Sequence, residues 1–242
     1  MTPNHRPFPR LHVLTDTRGG RDPLPEVRCA LATGPVAIQV RAKDRTDRDV
    51  FALTTAVLEL ARGSGALVVV DDRADIALAA GAHGVHLGGA DLPVADVRRF
   101  VPAGFVVGAT VRDPDMARDA ERSGASYLGA GPAHPTTTKQ GLPGPLGPPG
   151  IRAVTAATSL PVIAIGGVTP ELVPDLRAAG AHGVAVVAAL SEAADPAAAA
   201  AALAAALTDG AGQQLGVPRR AGRPGGEAIA GALDVPLDEV RR

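Results

Sequence analysis

Short apolar runs recur along most of the chain, each separated from the next by a longer stretch of mixed polar and apolar residues. Eight runs can be distinguished, at positions 11–15, 36–41, 66–70, 84–87, 106–110, 127–130, 162–165 and 183–187. Within them, apolar and polar residues do not alternate as they do in strands with one exposed face. Unbroken apolar runs are typical of parallel strands that are buried on both faces. The pattern therefore predicts eight buried β-strands.

The stretches between the runs show the spacing of amphipathic helices, most clearly at 47–61, 74–80, 114–123 and 170–179. Alternation of strand and helix, repeated eight times in roughly 200 residues, predicts an α/β fold that closes into a single (β/α)8 TIM barrel. A doubly wound open sheet is the alternative, and eight units in this length favour the closed barrel.

The strand–helix pattern ends near residue 208, and Gly-, Pro- and Arg-rich sequence follows it. We therefore predict a barrel domain at 1–208 and a flexible tail at 209–242, because such composition lacks the apolar residues that a packed element needs. The sequence indicates no role for this tail.

Composition and charge narrow the class of protein. A content of 46% hydrophobic and 20% charged residues is typical of globular proteins, and a net charge near −1 gives no electrostatic reason to expect nucleic acid or membrane as a partner. The longest apolar tract, 193–207, is interrupted by Asp195 and Pro196, and no apolar signal segment is evident at the N-terminus. The single cysteine, Cys29, excludes an intrachain disulfide and indicates a reducing compartment. We expect a cytoplasmic protein that acts on small molecules.

One heptapeptide occurs twice, as AAGAHGV at 79–85 and again at 178–184. Each copy lies between a predicted helix and the following strand, which is the end of a barrel where sequence features serve stability. We therefore interpret His83 and His182 as loop histidines and not as ligands.

The polar residues that follow each predicted strand are the candidates for chemistry, because barrel active sites form at the carboxyl ends of the strands. Gln39, Arg41 and Lys43 alternate onto one side of an extended chain at the end of the second run. Asp71 and Asp72 follow the third run, Asp91 follows the fourth, and Thr110 ends the fifth.

Lysine is used sparingly in this chain. Of 24 Lys and Arg residues only Lys43 and Lys139 are lysines, which leaves 22 arginines, and both lysines follow predicted strands. Lys139 closes the segment GPAHPTTTK at 131–139, which precedes a Gly/Pro-rich stretch at 141–150. We interpret this stretch as a mobile loop and hypothesise that it closes over the site when substrate binds. Glycine amides, the hydroxyls of Thr136 and Thr138, and a lysine are groups that hold phosphate. Taken alone, a Thr-rich surface turn is the alternative interpretation.

These residues predict two anion sites at one end of the barrel. The carboxylates of Asp72 and Asp91 suit Mg²⁺, which prefers carboxylate and phosphate oxygens, beside cations that neutralise a polyphosphate. The Gly pair 166–167 after the seventh run and the backbone after the eighth match the usual phosphate site of barrels. Asp71 is interpreted either as a base or as a partner of Arg73, and His86 as a hydrogen-bonded strand histidine.

Five motifs, taken together, resemble the thiamine phosphate synthase family over roughly residues 11–190. They are QVRAK at 39–43, VDDRADIA at 70–77, GVHLG at 84–88 with DLP at 91–93, GPAHPTTTK at 131–139 and AIGG at 164–167. The resemblance implies a Mg²⁺-dependent (β/α)8 enzyme that joins 4-amino-2-methyl-5-hydroxymethylpyrimidine diphosphate to 4-methyl-5-(2-phosphoethyl)thiazole and releases diphosphate. In this family the pyrimidine substrate is thought to ionise to a benzyl-like cation, which the thiazole nitrogen then traps.

The resemblance also implies residue roles. Arg41 and Lys139 are the expected catalytic cations, and Asp72 and Asp91 the expected magnesium ligands. The expected substrate-binding residues are Gln39, Arg41, Lys43, Asp71, Thr110, Thr136, Thr138, Lys139, Gly167, Val187 and Ala188.

Several positions depart from the family pattern. Asp71 replaces an Asn, and Thr110 and Ala188 each replace a Ser. Gly89-Ala90 stands where Gln-Glu is common, Arg112 where His is common, and His134 where an aromatic is frequent.

The nearest alternative is the related thiazole tautomerase, which carries a histidine about where Pro132 stands and lacks the full Thr-x-Thr-Lys ending. A non-catalytic barrel that binds thiazole phosphate is another alternative. A phosphosugar isomerase or epimerase would need an acid/base pair that the sequence does not reveal. Oligomeric state, including a homo-oligomer, is left open.

Overall fold

The computed structural model describes residues 7–136, 138, 141 and 143–208. Eight parallel strands form a closed barrel in sequence order, with β1 paired to both β2 and β8. The strands are β1 Leu11–Leu14, β2 Val36–Val40, β3 Leu67–Asp71, β4 Gly84–Leu87, β5 Val106–Val111, β6 Tyr127–Ala130, β7 Val162–Ile165 and β8 Gly183–Val186. The predicted (β/α)8 barrel is confirmed, and every strand end lies within about one residue of its predicted position.

Helices cover the outside of the barrel. Within the described residues they are α1 Leu24–Leu31, α2 Asp47–Leu60, α3 Ala74–Ala80, α4 Val94–Val97, α5 Pro114–Arg122, α6 Gly147–Thr155, α7 Val173–Ala178, α8 Ala188–Ser191 and α9 Pro196–Thr208. The predicted helix at 170–179 is divided into a 3-10 turn, Pro170–Leu172, and α7. Pro174 explains the division, because a proline lacks the N–H that a continuous helix would use there and suits a first helical turn.

Two apolar layers hold the barrel together. The larger layer lies between strands and helices and consists mainly of Val, Leu, Ile and Ala side chains, in keeping with an aromatic content of only 2%. The smaller cluster fills the barrel interior and is centred on Tyr127, which is 1% exposed. The rings of Phe8 and His12 pack against Tyr127 at centroid distances of 5.2 and 5.3 Å.

The repeated heptapeptide lies where it was predicted, between a helix and the next strand. Gly81 ends α3 with a positive φ of 74°, which glycine adopts without strain. The backbone N–H of Val68 donates to Nδ1 of His83 at 2.9 Å, and Nε2 of His182 contacts the Phe8 carbonyl at 2.9 Å. Both histidines therefore serve loop structure at the amino ends of the strands.

The Gly/Pro-rich stretch 141–150 is shorter as a loop than predicted, because its last residues form the first turn of α6. The backbone of Leu146 donates to Pro132 at 2.8 Å and that of Gly147 to Ala133 at 3.0 Å, which closes the base of the β6–α6 connection. Lys139 and the predicted tail 209–242 lie outside the described residues. Among the described residues, no helix is long and apolar enough to cross a membrane.

Candidate active site

One cavity opens at the carboxyl ends of the strands, and it is lined by residues from nearly every strand end. Eleven of the predicted site residues lie on its wall: Gln39, Arg41, Lys43, Asp71, Asp72, Thr110, Thr136, Thr138, Gly167, Val187 and Ala188. Asp91 is not on the wall but lies directly behind it, where its Oδ2 accepts a hydrogen bond of 2.6 Å from the backbone of Gly88. The structure therefore gathers the predicted residues at one place, apart from Lys139, which is not described.

The strand-2 residues project into the cavity together, as their alternation predicted. The segment is held by Thr15, the residue that follows β1. Its hydroxyl donates to the Arg41 carbonyl and accepts from the Arg41 N–H, both at 2.8 Å. Thr15 is 2% exposed, so water does not compete for these bonds. The side chain thus extends the β1–β2 pairing past the strand ends and holds the backbone that carries Arg41.

A cluster of carboxylates and cations occupies the β2–β4 side of the cavity. Lys43 Nζ lies 2.8 Å from Asp72 and 3.7 Å from Asp71, and Arg41 Nε lies 3.6 Å from Asp71. Asp72 has a φ of 64°, and it is the one non-glycine residue with positive φ in the part of the chain that is described. Such a conformation is disfavoured for a side chain at this position, and strain of this kind is often retained at functional sites.

The carboxylates of this cluster ionise unequally. Burial, together with the charge of Asp72, raises the pKa of Asp71 to about 6 in spite of the nearby cations. Burial also disfavours ionisation of Asp72, but hydrogen bonds from Lys43 and Asp91 outweigh it and hold its pKa below the usual range. Burial and the bond with Asp72 raise the pKa of Asp91. The two neighbouring carboxyls of Asp72 and Asp91 therefore ionise at different pH values, and the ammonium of Lys43 favours the ionised form of Asp72.

Asp71 faces the cavity with an unsatisfied atom. Its Oδ2 is buried and has no hydrogen-bond partner among the described residues, since the cations beside it are beyond hydrogen-bonding distance. The predicted alternative of a pair with Arg73 is wrong, because Arg73 is bound to Asp47 and Asp75 on the outer surface. A polar ligand in the cavity would satisfy Asp71.

Backbone groups dominate the opposite side of the cavity. Gly166 and Gly167 follow β7 with φ values of 93° and 65°. A Cβ atom at Gly167 would lie 2.4 Å from the Pro135 carbonyl oxygen, and one at Gly166 would lie 2.8 Å from Cβ of Pro132. Only glycine permits this close approach, which brings the β7 loop against the segment that carries Thr136 and Thr138. Together with Val187 and Ala188, this side offers amides and hydroxyls rather than charges.

Arg112 supports the site, although sequence analysis noted it only as a departure from the family pattern. It follows β5, and its guanidinium donates to the carbonyls of Gly131 and Gly144 at 2.7 and 2.9 Å. These carbonyls lie before and after the Thr-rich segment, so Arg112 holds the two ends of that connection together. Apart from that departure, a guanidinium in an arginine-rich chain carries no distinguishing sequence signal.

His86 is hydrogen-bonded as predicted, but it also lines the cavity, which the sequence did not suggest. Its Nε2 lies 3.0 Å from the hydroxyl of Thr110 and its Nδ1 lies 2.9 Å from that of Tyr127. Burial lowers the pKa of His86 to about 4, so the imidazole is neutral near pH 7. The alternation of residues along β4 places it on the inner face, which was the available signal.

A sequence model of the family described as thiamine monophosphate synthase matches residues 11–190. A thiamine-phosphate synthase of Salinispora arenicola (strain CNS-205) is 55% identical over 202 residues, which cover 82% of this chain and 97% of the relative. The thiamine-phosphate synthase of Moorella thermoacetica is 42% identical over 189 residues, covering 77% and 90%.

Solved structures agree with the sequence relatives. The thiamine phosphate pyrophosphorylase from Pyrococcus furiosus superposes with a TM-score of 0.76 at 34% identity, covering 84% of this chain and 97% of that one. A 3-hexulose-6-phosphate synthase from Salmonella typhimurium superposes with a TM-score of 0.66 at 21% identity, and this likeness concerns the fold alone. The family match spans all eight strands and hence every loop that contributes to the cavity.

Proposed function

The chain belongs to the thiamine monophosphate synthase family, and we propose that its barrel cavity joins the two substrates with the help of one magnesium ion held by Asp72 and Asp91. The enzyme is a transferase that forms thiamine phosphate from a pyrimidine diphosphate and a thiazole phosphate. Full-length coverage of relatives at 55% identity favours this activity over a thiazole tautomerase or a non-catalytic binder.

The division of the cavity into two unlike sides is the structural observation that supports the proposal. Arg41 and Lys43 present positive charge on one side, which suits the diphosphate of the pyrimidine substrate, the more highly charged of the two anionic groups. Gly167, Val187 and the threonine hydroxyls present amides and hydroxyls on the other, which suits the single phosphate of the thiazole. In this arrangement the thiazole ring faces the methylene carbon that carries the diphosphate.

Magnesium fits the carboxylates at this site. Asp72 and Asp91 lie within hydrogen-bonding reach of each other, although two ionised carboxylates at that distance repel. The described residues contain no cluster of three or more His, Cys, Asp or Glu side chains that would enclose a metal by themselves. Two carboxylates completed by substrate phosphate and water are a usual environment for Mg²⁺. When bound, the ion would neutralise negative charge on the diphosphate.

The protein side chains stabilise departure of diphosphate. The bond between the pyrimidine methylene carbon and the diphosphate oxygen breaks, and the electron pair leaves with diphosphate. Arg41, Lys43 and Lys139 then face more negative charge on the leaving group than in the bound substrate, which is the condition for lowering the barrier. The thiazole nitrogen donates its lone pair to the methylene carbon and becomes a thiazolium. No protein nucleophile is needed in this sequence.

Gln39, Asp71 and Thr110 are the proposed contacts of the pyrimidine ring. They lie on the same wall of the cavity and offer an amide, a carboxyl and a hydroxyl. Asp71 accepts from the exocyclic amino group in this proposal, which would satisfy its buried Oδ2. The cytoplasmic location and the oligomeric state stay predictions.

The test is an assay of purified protein with both substrates and Mg²⁺, in which thiamine phosphate and diphosphate are measured together. Equal amounts of both products are expected. Omission of either substrate should abolish the formation of thiamine phosphate. Removal of Mg²⁺ with a chelator should stop the formation of both products, and added Mg²⁺ should restore it. Thiazole phosphate binding without product would contradict the proposal and favour the tautomerase or the non-catalytic barrel.

A further inference from the structure

A chain of hydrogen bonds runs from the cavity wall to the centre of the barrel. Thr110 Oγ1 lies 3.0 Å from His86 Nε2, and His86 Nδ1 lies 2.9 Å from the hydroxyl of Tyr127. The Gln39 side chain lies near that hydroxyl and lowers the Tyr127 pKa slightly, against the larger effect of burial. Gln39, His86 and Thr110 line the cavity, whereas Tyr127 is 1% exposed and lies behind them.

The neighbouring strands leave space for this pair of rings. A Cβ atom at Gly108 would lie 2.3 Å from Cζ of Tyr127 and 2.5 Å from Nδ1 of His86, and one at Gly129 would lie 3.0 Å from Cε1 of His86. Both glycines have ordinary negative φ angles, so backbone conformation does not require glycine there. The rings of Tyr127 and His86 therefore explain why glycine stands at position 108 in β5 and at position 129 in β6.

The number of protons in this chain of bonds links its two ends. A neutral imidazole has one donor and one acceptor nitrogen, and Tyr127 has one hydroxyl proton. When His86 donates to Thr110 through Nε2, its Nδ1 accepts from the Tyr127 hydroxyl, and the threonine proton is free for the cavity. In the reverse arrangement, Thr110 donates to His86 and His86 donates to Tyr127. The direction of bonding at Tyr127 therefore fixes the direction at Thr110.

We infer that His86 and Tyr127 are positioning residues, which set whether Thr110 presents a donor or an acceptor to the pyrimidine ring. The inference rests on the proposed function, because it assigns Thr110 to the aminopyrimidine. An aminopyrimidine carries a donor amino group beside acceptor ring nitrogens, so its recognition needs a fixed polarity on the wall it meets. A freely rotating hydroxyl would lose that polarity in the unbound enzyme.

A merely structural role for Tyr127 makes a different prediction. The ring packs against Phe8, His12 and His86, so its hydroxyl contributes little to the volume it fills. If only packing mattered, removing the hydroxyl would alter stability and leave both Michaelis constants unchanged. The positioning role predicts a change confined to the pyrimidine substrate.

The variant Tyr127→Phe separates these roles. Loss of the hydroxyl should raise the KM for pyrimidine diphosphate about tenfold, the size expected for one lost hydrogen bond, while the KM for thiazole phosphate stays at the wild-type value. Calorimetric binding of pyrimidine diphosphate should weaken by the same factor. Unchanged affinity for pyrimidine diphosphate would overturn the inference.

A double-mutant cycle with Thr110→Val tests whether the two residues act through one chain of bonds. Tyr127→Phe and Thr110→Val break the same chain, so the double variant should be impaired little more than the worse single variant. Multiplication of the two effects, to roughly 100-fold, would mean that the residues act independently and would overturn the inference.

His12→Phe is the matched control, because His12 is 2% exposed, packs on the same tyrosine ring and bonds to the Pro9 carbonyl rather than to a cavity residue. It should lower stability without changing the KM for pyrimidine diphosphate. A parallel loss of stability and of both substrate affinities in both variants would indicate a structural role only. If Tyr127→Phe does not fold, His86→Gln is measured in the same way. Wild-type protein that binds pyrimidine diphosphate but forms no product would reject the proposed function, while the calorimetric comparison would still decide the inference.

Discussion

The carboxylates at the mouth of the barrel differ in what compensates their charge. Asp72 has Lys43 at 2.8 Å and Asp91 accepts from a backbone amide, whereas Asp71 has a buried oxygen without a hydrogen-bond partner. Arg41 and Lys43 approach that oxygen only to 3.6 and 3.7 Å. Asp72 and Asp91 interact directly with each other, as two ligands of one cation would. These different surroundings distinguish the proposed metal ligands, Asp72 and Asp91, from the proposed substrate contact, Asp71. All three follow predicted strands, so position in the sequence alone does not distinguish them.

Replacement of the proposed metal ligands should remove magnesium activation. Asp72→Asn or Asp91→Asn should lower kcat/KM by roughly 100-fold, because the ion would lose one of two protein ligands. The apparent magnesium affinity should fall, as measured by activity over a titration of Mg²⁺. Asp75→Asn is the control, since Asp75 lies on the surface bound to Arg73. Wild-type magnesium activation in both variants would contradict the assignment.

Lys139 is the residue that the sequence motif most strongly predicts to be catalytic. Lys139→Ala should lower kcat on the order of 100-fold, the loss typical of one group that stabilises departing charge. Arg73→Ala is the matched control, because Arg73 also follows a strand. It should leave kcat near the wild-type value, since Arg73 forms ion pairs with Asp47 and Asp75 on the outer surface. Single-turnover measurement of diphosphate release distinguishes this loss from slow product release. Equal losses in the two variants would mean that the Thr-rich segment does not carry the chemistry.

At the scale of elements, the strands were predictable and the contacts between loops were not. Unbroken apolar runs such as Val36–Val40 gave the strand positions because both faces are buried. The alternation of Gln39, Arg41 and Lys43 placed all three in the cavity correctly. The two hydrogen bonds between the Thr15 hydroxyl and the Arg41 backbone, one donated and one accepted by Thr15, join residues 26 positions apart, and no local pattern predicts them.

Backbone conformation was the second kind of information that sequence could not supply. The positive φ of Asp72 belongs to a residue type that tolerates many conformations, so composition does not reveal it. His86 was interpreted as a satisfied strand histidine, and its bonds agree, but its place on the inner face could have been predicted from the alternation of residues along β4. The split of the helix at 170–179 could likewise have been predicted from Pro174.

The contact between the β6 and β7 loops should determine affinity for the thiazole phosphate. Gly167→Ala places a methyl group 2.4 Å from the Pro135 carbonyl at a φ of 65°, so the two loops must separate. We expect the KM for thiazole phosphate to rise at least about tenfold, and that for pyrimidine diphosphate to change less. Gly144→Ala is the matched control in the same region, because a Cβ there meets nothing within 4 Å. Equal effects on both substrates would show that Gly167 supports the fold rather than one side of the cavity.

At the scale of the whole molecule, the barrel interior links substrate recognition to stability. The cavity wall rests on Tyr127, and Tyr127 rests on Phe8 and His12. Polar groups in such a position are stable only when they are neutral and bonded. His12 meets both conditions near pH 7, with its Nε2 at 3.2 Å from the Pro9 carbonyl.

Acidification should therefore destabilise the protein through His12. Burial lowers the pKa of His12 from 6.5 to about 3, so the unfolded chain takes up this proton at a higher pH than the folded one. Stability from this residue is complete above pH 6.5 and is lost progressively as the pH falls toward 3. Between pH 7 and 5 the loss should amount to about 2 kcal/mol, at about 1.4 kcal/mol per pH unit below the unfolded pKa.

His12→Phe isolates this contribution, because every other titrating group is common to both proteins. The variant should be less stable than wild type at pH 7, where it lacks the bond to Pro9, and the difference should shrink by about 2 kcal/mol at pH 5. Urea unfolding at both pH values measures the two differences directly. If the difference in unfolding free energy between the two proteins were the same at pH 7 and pH 5, the pKa of His12 would be the same in the folded and unfolded states. The interior would then be open to water, and the same finding would weaken the case for a fixed bonding direction at Tyr127.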